Sequence, residues 1–94
     1  MREERPLCSL EQLRPGEGLH ITAIQGEPVF RRRLYSLGFL PGVTVHVVRQ
    51  MPARGPIEVE VHDVRMALRR RDAARIFGEP LSPTPPGASK EENP

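Results

Sequence analysis

Apolar residues return at every second position in four stretches of this chain, and at helical spacing in one. Between Glu17 and Ile24, Leu19, Ile21 and Ala23 face one way and His20 and Thr22 the other, the period of a half-buried strand. Val43, Val45 and Val47 alternate with Thr44, His46 and Val48, and Ile57, Val59 and Val61 with Glu58, Glu60 and His62. Val64, Met66 and Leu68 make a fourth run. Phe30, Leu34 and Leu37 recur instead at i, i+4 and i+7, the single apolar stripe of a helix that leaves Arg31, Arg32 and Ser36 towards solvent. Pro28 suits the first helical position, where its missing N–H is no loss. Gly38 is placed to end the helix in a left-handed conformation, with Phe39 folding back on Leu34.

The segments between these runs are corners. Ser9 to Gln12 reads as one helical turn, closed by Arg14-Pro15-Gly16-Glu17, and Leu40-Pro41-Gly42 turns the chain into the valine-rich strand. Gln50 to Pro56 is a loop of turn formers. An antiparallel hairpin pairing Val45 with Val61 and Val47 with Val59 gathers four valines on one face. It sets His46 opposite Glu60 and Thr44 opposite His62 on the other. Arg70 to Ile76 has room for two helical turns at most, and Ile76-Phe77 for a last short strand.

The pattern therefore predicts an all-β domain of small α content: a closed or nearly closed five-stranded barrel with a short helix inserted between its first two strands. Residues 1–6 are expected to be a flexible N-terminus, residues 7–78 the barrel, and residues 79–94, with five prolines, a disordered tail. A domain of this size hides only about 60% of the surface its unfolded chain exposes, so deep substrate pockets are not expected.

Charge changes this picture little. The formal net charge is +2, carried as +4 on residues 6–78 and −2 on the tail from Glu79. Of the 14 basic residues only Lys90 is not arginine. Arg31-Arg32-Arg33 and Arg69-Arg70-Arg71 are basic clusters, but the chain has four aromatics, too few to interleave with them as single-strand nucleic-acid binding requires. No nucleic-acid partner is expected.

Cys8 stands alone, so no intrachain disulfide can form, and no stretch has the roughly 20 apolar residues of a membrane span. A cytoplasmic protein without membrane insertion is expected. Ser9 and Ser36 have no adjacent histidine, and no Gly-rich phosphate loop, H-x-x-x-H or C-x-x-C occurs. These absences predict a non-enzyme without a cofactor. His46, Glu60 and His62 are the candidates for a metal site; the alternative is a solvated outer face carrying a His–Glu cross-strand pair.

Three blocks of this sequence carry a family resemblance: SLEQLRPGE from Ser9, RLYSLGFLPG from Arg33 running into VTVHVVRQMPARGPIEVEV, and ALRRRDAARI from Ala67. Together they span residues 9–77 and resemble the ferrous iron transport protein A family, FeoA, whose fold is an SH3-like barrel. Asp63 stands near where many members have glycine, and the last strand looks abbreviated at Phe77-Gly78.

The resemblance implies a cytosolic accessory protein of bacterial ferrous iron uptake that binds and modulates the cytoplasmic GTPase region of the FeoB membrane transporter. The runner-up is a metal-responsive or self-associating domain related to the C-terminal barrel of iron-dependent repressors, so a homo-oligomer is also open. Gly38, Gly42, Leu34 and Phe39 are expected to be structural. Arg31, Arg32, Tyr35, Leu40 and Pro41 form the expected partner-binding face, because an inserted helix showing Arg and Tyr offers residues enriched at interface hot spots.

Overall fold

A computed structural model describes residues 7–81. Its sheet has six strands: β1 (Cys8–Ser9), β2 (Gly18–Ile24), β3 (Thr44–Gln50), β4 (Ile57–Val61), β5 (Val64–Leu68) and β6 (Ile76–Leu81). Two helices interrupt it, α1 (Pro28–Ser36) and the single-turn α2 (Arg70–Ala73), and a 3-10 turn covers Leu10–Gln12. The strands lie in the order β1-β6-β2-β3-β4-β5, every ladder antiparallel. Among the described residues β1 and β5 remain the two edges, so the sheet coils into a barrel without a ladder closing it.

The count of five strands is corrected to six, because β1 is two residues long and carries no periodicity. The helix still enters between the first two long strands. The expected end of the domain at Gly78 is also too early. β6 continues to Leu81, since the backbone of β2 pairs residue by residue with it through Leu19↔Pro80 and Gly18↔Leu81. The expected flexible N-terminus and the rest of the tail lie outside the described residues.

Leu19, Ile21, Val45, Val47, Ile57, Val59 and Ile76 fill the core from four of the strands, each no more than 2% exposed. Two bulges modify the simple alternation. Between Ile21↔Gly78 and Ala23↔Phe77 the register slips, leaving Thr22 as an extra residue on β2. The strand's faces exchange at that point: Ala23, expected inside, is exposed, and Ile24 is buried instead.

A second slip sits between Val47↔Val59 and Arg49↔Glu58 on β3. The pairs His46↔Glu60 and Val47↔Val59 fall as the alternation requires. Val45 and Val61 are both buried, but Thr44 does not face His62 in a ladder, because β4 ends at Val61. His62 and Asp63 form the two-residue turn into β5 with φ of 54° and 64°, both left-handed. That combination is the type I′ hairpin turn, where Asp is tolerated in place of Gly.

The inserted helix begins on Pro28 and ends as anticipated. Gly38 takes φ +107°; its N–H bonds the Tyr35 carbonyl at 2.9 Å, and the Phe39 N–H bonds the Leu34 carbonyl at 3.1 Å. These are the two hydrogen bonds of the Schellman motif, and its apolar clasp is Phe39 against Leu34, both fully buried. Gly42, at φ +95°, makes the next corner.

Leu37 departs from the expected stripe and is 42% exposed. The chain reverses at Gly38 and brings Phe39, not Leu37, back over Leu34, so the core position is already occupied. Leu34 is the only buried residue of α1. The helix thus sits on the barrel by a narrow stripe and shows most of its surface.

Candidate functional site

Three surfaces surround α1. Its crest carries Arg32, exposed, and leads past Leu37 to Leu40 and Pro41, also exposed. Arg31 and Tyr35 lie on one flank and are half-buried: Arg31 Nη1 donates to the Gly26 carbonyl, and Tyr35 packs against the core. Arg31 was expected in solvent. The carbonyl at the sharp Gln25-Gly26 corner needs a donor, and the Arg31 side chain folds back to supply it.

The C-terminal end of α1 lies beside the β4–β5 turn. A methyl group built on Gly38 would come within 3.5 Å of the His62 ring and 4.0 Å of a Val61 methyl. The helix end and the hairpin turn are therefore in contact. Leu37, Leu40 and Val64, between 40% and 53% exposed, are large apolar side chains on the segments that meet there.

On the opposite flank α1 faces α2 across a groove of about 630 Å3, whose walls include Val29, Phe30, Arg33, Arg71, Asp72 and Arg75. Arg33 Nη2 reaches the Asp72 carboxylate at 3.3 Å, and its guanidinium carbon lies 5.5 Å from the centre of the Phe30 ring. Asp72 is 4% exposed, so this ion pair neutralises a carboxylate that burial alone would penalise. Sequence reading missed this groove. The signal was the spacing of Val29 and Arg33 on α1 and of Arg71 and Arg75 across the end of α2, which gains meaning only when the two segments are placed side by side.

The three metal candidates do not converge. His46 lies on the outer face, where a Cβ at Gly18 would meet its ring at 2.8 Å. Glu60, across the ladder from it, takes Arg65 as partner at 3.7 Å. His62 has left the strand and stands against the helix end, because the alternation that put it on the Glu60 face stops at Val61. Among the described residues no three His, Cys, Asp or Glu side chains form a group that could hold a metal ion.

Cys8 is partly buried on β1. Burial pushes its thiol up from the ordinary cysteine value, and the Glu17 carboxylate adds to the shift. A raised value leaves less thiolate at neutral pH. Alkylation of the folded chain by iodoacetamide is therefore expected to be slower than that of glutathione at pH 7.5, with its midpoint at higher pH. A midpoint at or below that of glutathione contradicts the placement of Cys8.

No helix among the described residues is long and apolar enough to cross a membrane. The sequence matches the FeoA domain model over residues 8–80. It is 38% identical over 73 residues to the Fe(2+) transport protein A/Fe(2+) transporter FeoB fusion protein of Porphyromonas gingivalis. That match takes in 78% of this chain but only 9% of the fusion protein.

Among solved structures, the crystal structure of the iron uptake regulatory protein FeoA superposes with a TM-score of 0.73 at 32% identity, covering 81% of this chain and 99% of the other. The FeoA of Stenotrophomonas maltophilia, an SH3 domain protein crystallised with zinc, gives 0.63 at 30% identity over 72% and 85%.

Proposed function

Because the chain belongs to the FeoA domain family, whose members take part in ferrous iron transport and share this SH3-like barrel, we propose that it is an accessory subunit of ferrous iron uptake that docks on a FeoB-type transporter. The docking is assigned to the transporter's cytoplasmic GTPase region, which places the protein in the cytoplasm. It works by contact and not by catalysis, and alters the transporter only if it binds one of its conformations more tightly than another.

The observation that carries this reading is the fusion protein. A stretch 38% identical to this chain is joined there in one polypeptide to a FeoB transporter. Covalent joining raises the effective concentration of two parts, which helps where they bind each other. The contact face is the crest of α1 and its corner, Arg32, Leu40 and Pro41, flanked by Arg31 and Tyr35. It joins Arg32, which forms no ion pair among the described residues, to exposed apolar side chains on a helix whose one buried residue is Leu34.

The test is binding of the full chain to a detergent-solubilised FeoB-type transporter, read by biolayer interferometry. Arg32→Glu combined with Leu40→Asp is expected to weaken binding at least about tenfold, the scale of one interface anchor. Both residues are exposed, so the fold should survive, as circular dichroism would verify. Unchanged affinity in the double variant rejects the face, and absence of binding by the wild-type chain rejects the partner.

A further inference from the structure

We infer that the groove between α1 and α2 is a binding site for an acidic, apolar-bearing peptide segment of a protein partner. The inference rests on the reading that this protein works by docking, and it identifies a second contact, on the flank of α1 away from Arg31 and Tyr35.

Four observations converge on it. The groove, at about 630 Å3, falls within the 300–1,000 Å3 typical of ligand sites and so exceeds what one small ion needs. Its apolar wall is Phe30, half-buried, with Val29 beside it at 73% exposure, so an apolar surface lies next to the cations.

The third observation is its surplus of arginine. Arg33, Arg71 and Arg75 line it against Glu27 and Asp72. Asp72 is already taken by Arg33, whereas Arg71 and Arg75 form no ion pair among the described residues and both are exposed. The fourth is preorganisation. Arg33 is fixed between the Asp72 carboxylate and the Phe30 ring, so a second carboxylate arriving there need not order it.

Arginine forks match carboxylates in a bidentate manner, and an aromatic ring under a guanidinium takes an apolar side chain alongside. A groove with both features reads a segment that mixes Asp or Glu with Leu or Phe. A flat phospholipid surface fits less well, because the cations and the ring line the walls of a concave slot between two helices.

The experiment is an NMR titration of the isotope-labelled full chain with a synthetic acetylated and amidated octapeptide alternating Glu and Leu. The matching Lys and Leu octapeptide, inorganic phosphate and phosphatidylglycerol vesicles serve as comparisons. The expected result is saturable shifts clustered at residues 26–33 and 71–75 with the acidic peptide alone. Affinity should fall about tenfold in Arg71→Ala/Arg75→Ala, consistent with loss of charge-assisted contacts, and should weaken with salt.

Arg33 is left intact, since removing it would strand the buried Asp72 carboxylate and disturb the fold. Shifts elsewhere, an unchanged affinity in the double variant, an equal response to phosphate, or a response to vesicles without one to the peptide each overturn the inference. Transporter binding measured in parallel separates the two readings. A chain that binds the transporter but not the peptide loses only the groove, and one that binds the peptide but not the transporter loses only the transporter assignment.

Discussion

Gly78→Ala is expected to lower the stability of the domain by at least about 3 kcal/mol, read as a fall in Tm of more than about 12 °C. Gly78 is buried in the middle of β6, with Cys8 of β1 on one side and Ile21 of β2 on the other. A Cβ there would press against the His20 carbonyl, standing 2.7 Å from its carbon and 2.9 Å from the Ile21 Cα. Both obstacles are backbone, so no side chain can swing aside; β6 must move off β2 or the bulge must rearrange. A domain of this size holds roughly 4–11 kcal/mol in all, so the variant should be partly unfolded at 37 °C. Thermal melts followed by circular dichroism decide the matter, and a drop under about 5 °C would show that the β2–β6 ladder yields more easily than its geometry implies.

The second large effect is expected from Phe39→Ala, at about 3–5 kcal/mol. Phe39 heads the fully buried side chains by size, and it closes the helix end by packing on Leu34. Its removal costs both the transfer of the ring and a void that the Schellman turn holds open. Leu37→Ala, two residues earlier and 42% exposed, should change stability by no more than about 1 kcal/mol. Urea unfolding of both variants tests the pair. If Leu37→Ala proved the costlier, the burial assignment at the helix end would be reversed.

Those two neighbours show what could be read from the residues and what could not. The order helix, Gly38, clasp was legible because Gly, a preceding apolar stripe and a following aromatic form a local motif with one low-energy conformation. Likewise β3 and β4 announced themselves through strict alternation, and His46↔Glu60 and Val47↔Val59 followed from it. Leu37 was misplaced because periodicity cannot tell the last residue of a stripe from the cap.

Ala23 and Ile24 were misplaced because a bulge is a property of two strands, and Thr22 carries no sign of it. β1 was invisible at two residues, and the last four residues of β6, Gly78 to Leu81, were hidden by their glycine and proline. Around α1, the exposure of Arg32, Leu40 and Pro41 followed from the pattern, whereas the Arg33–Asp72 bridge spans 39 positions and joins segments that nothing local relates.

The odd residue on β2 also sets a rule for comparing this chain with its kin. Upstream of Thr22, even positions look outward; downstream of it, odd ones do. A relative lacking that single insertion would have to be matched with a one-position gap placed there and nowhere else in the strand, or every inward residue on one side would be equated with an outward one. Substitution patterns at Leu19 and Ile24 should then resemble one another across five positions, a separation that neither plain alternation nor a helical turn would produce.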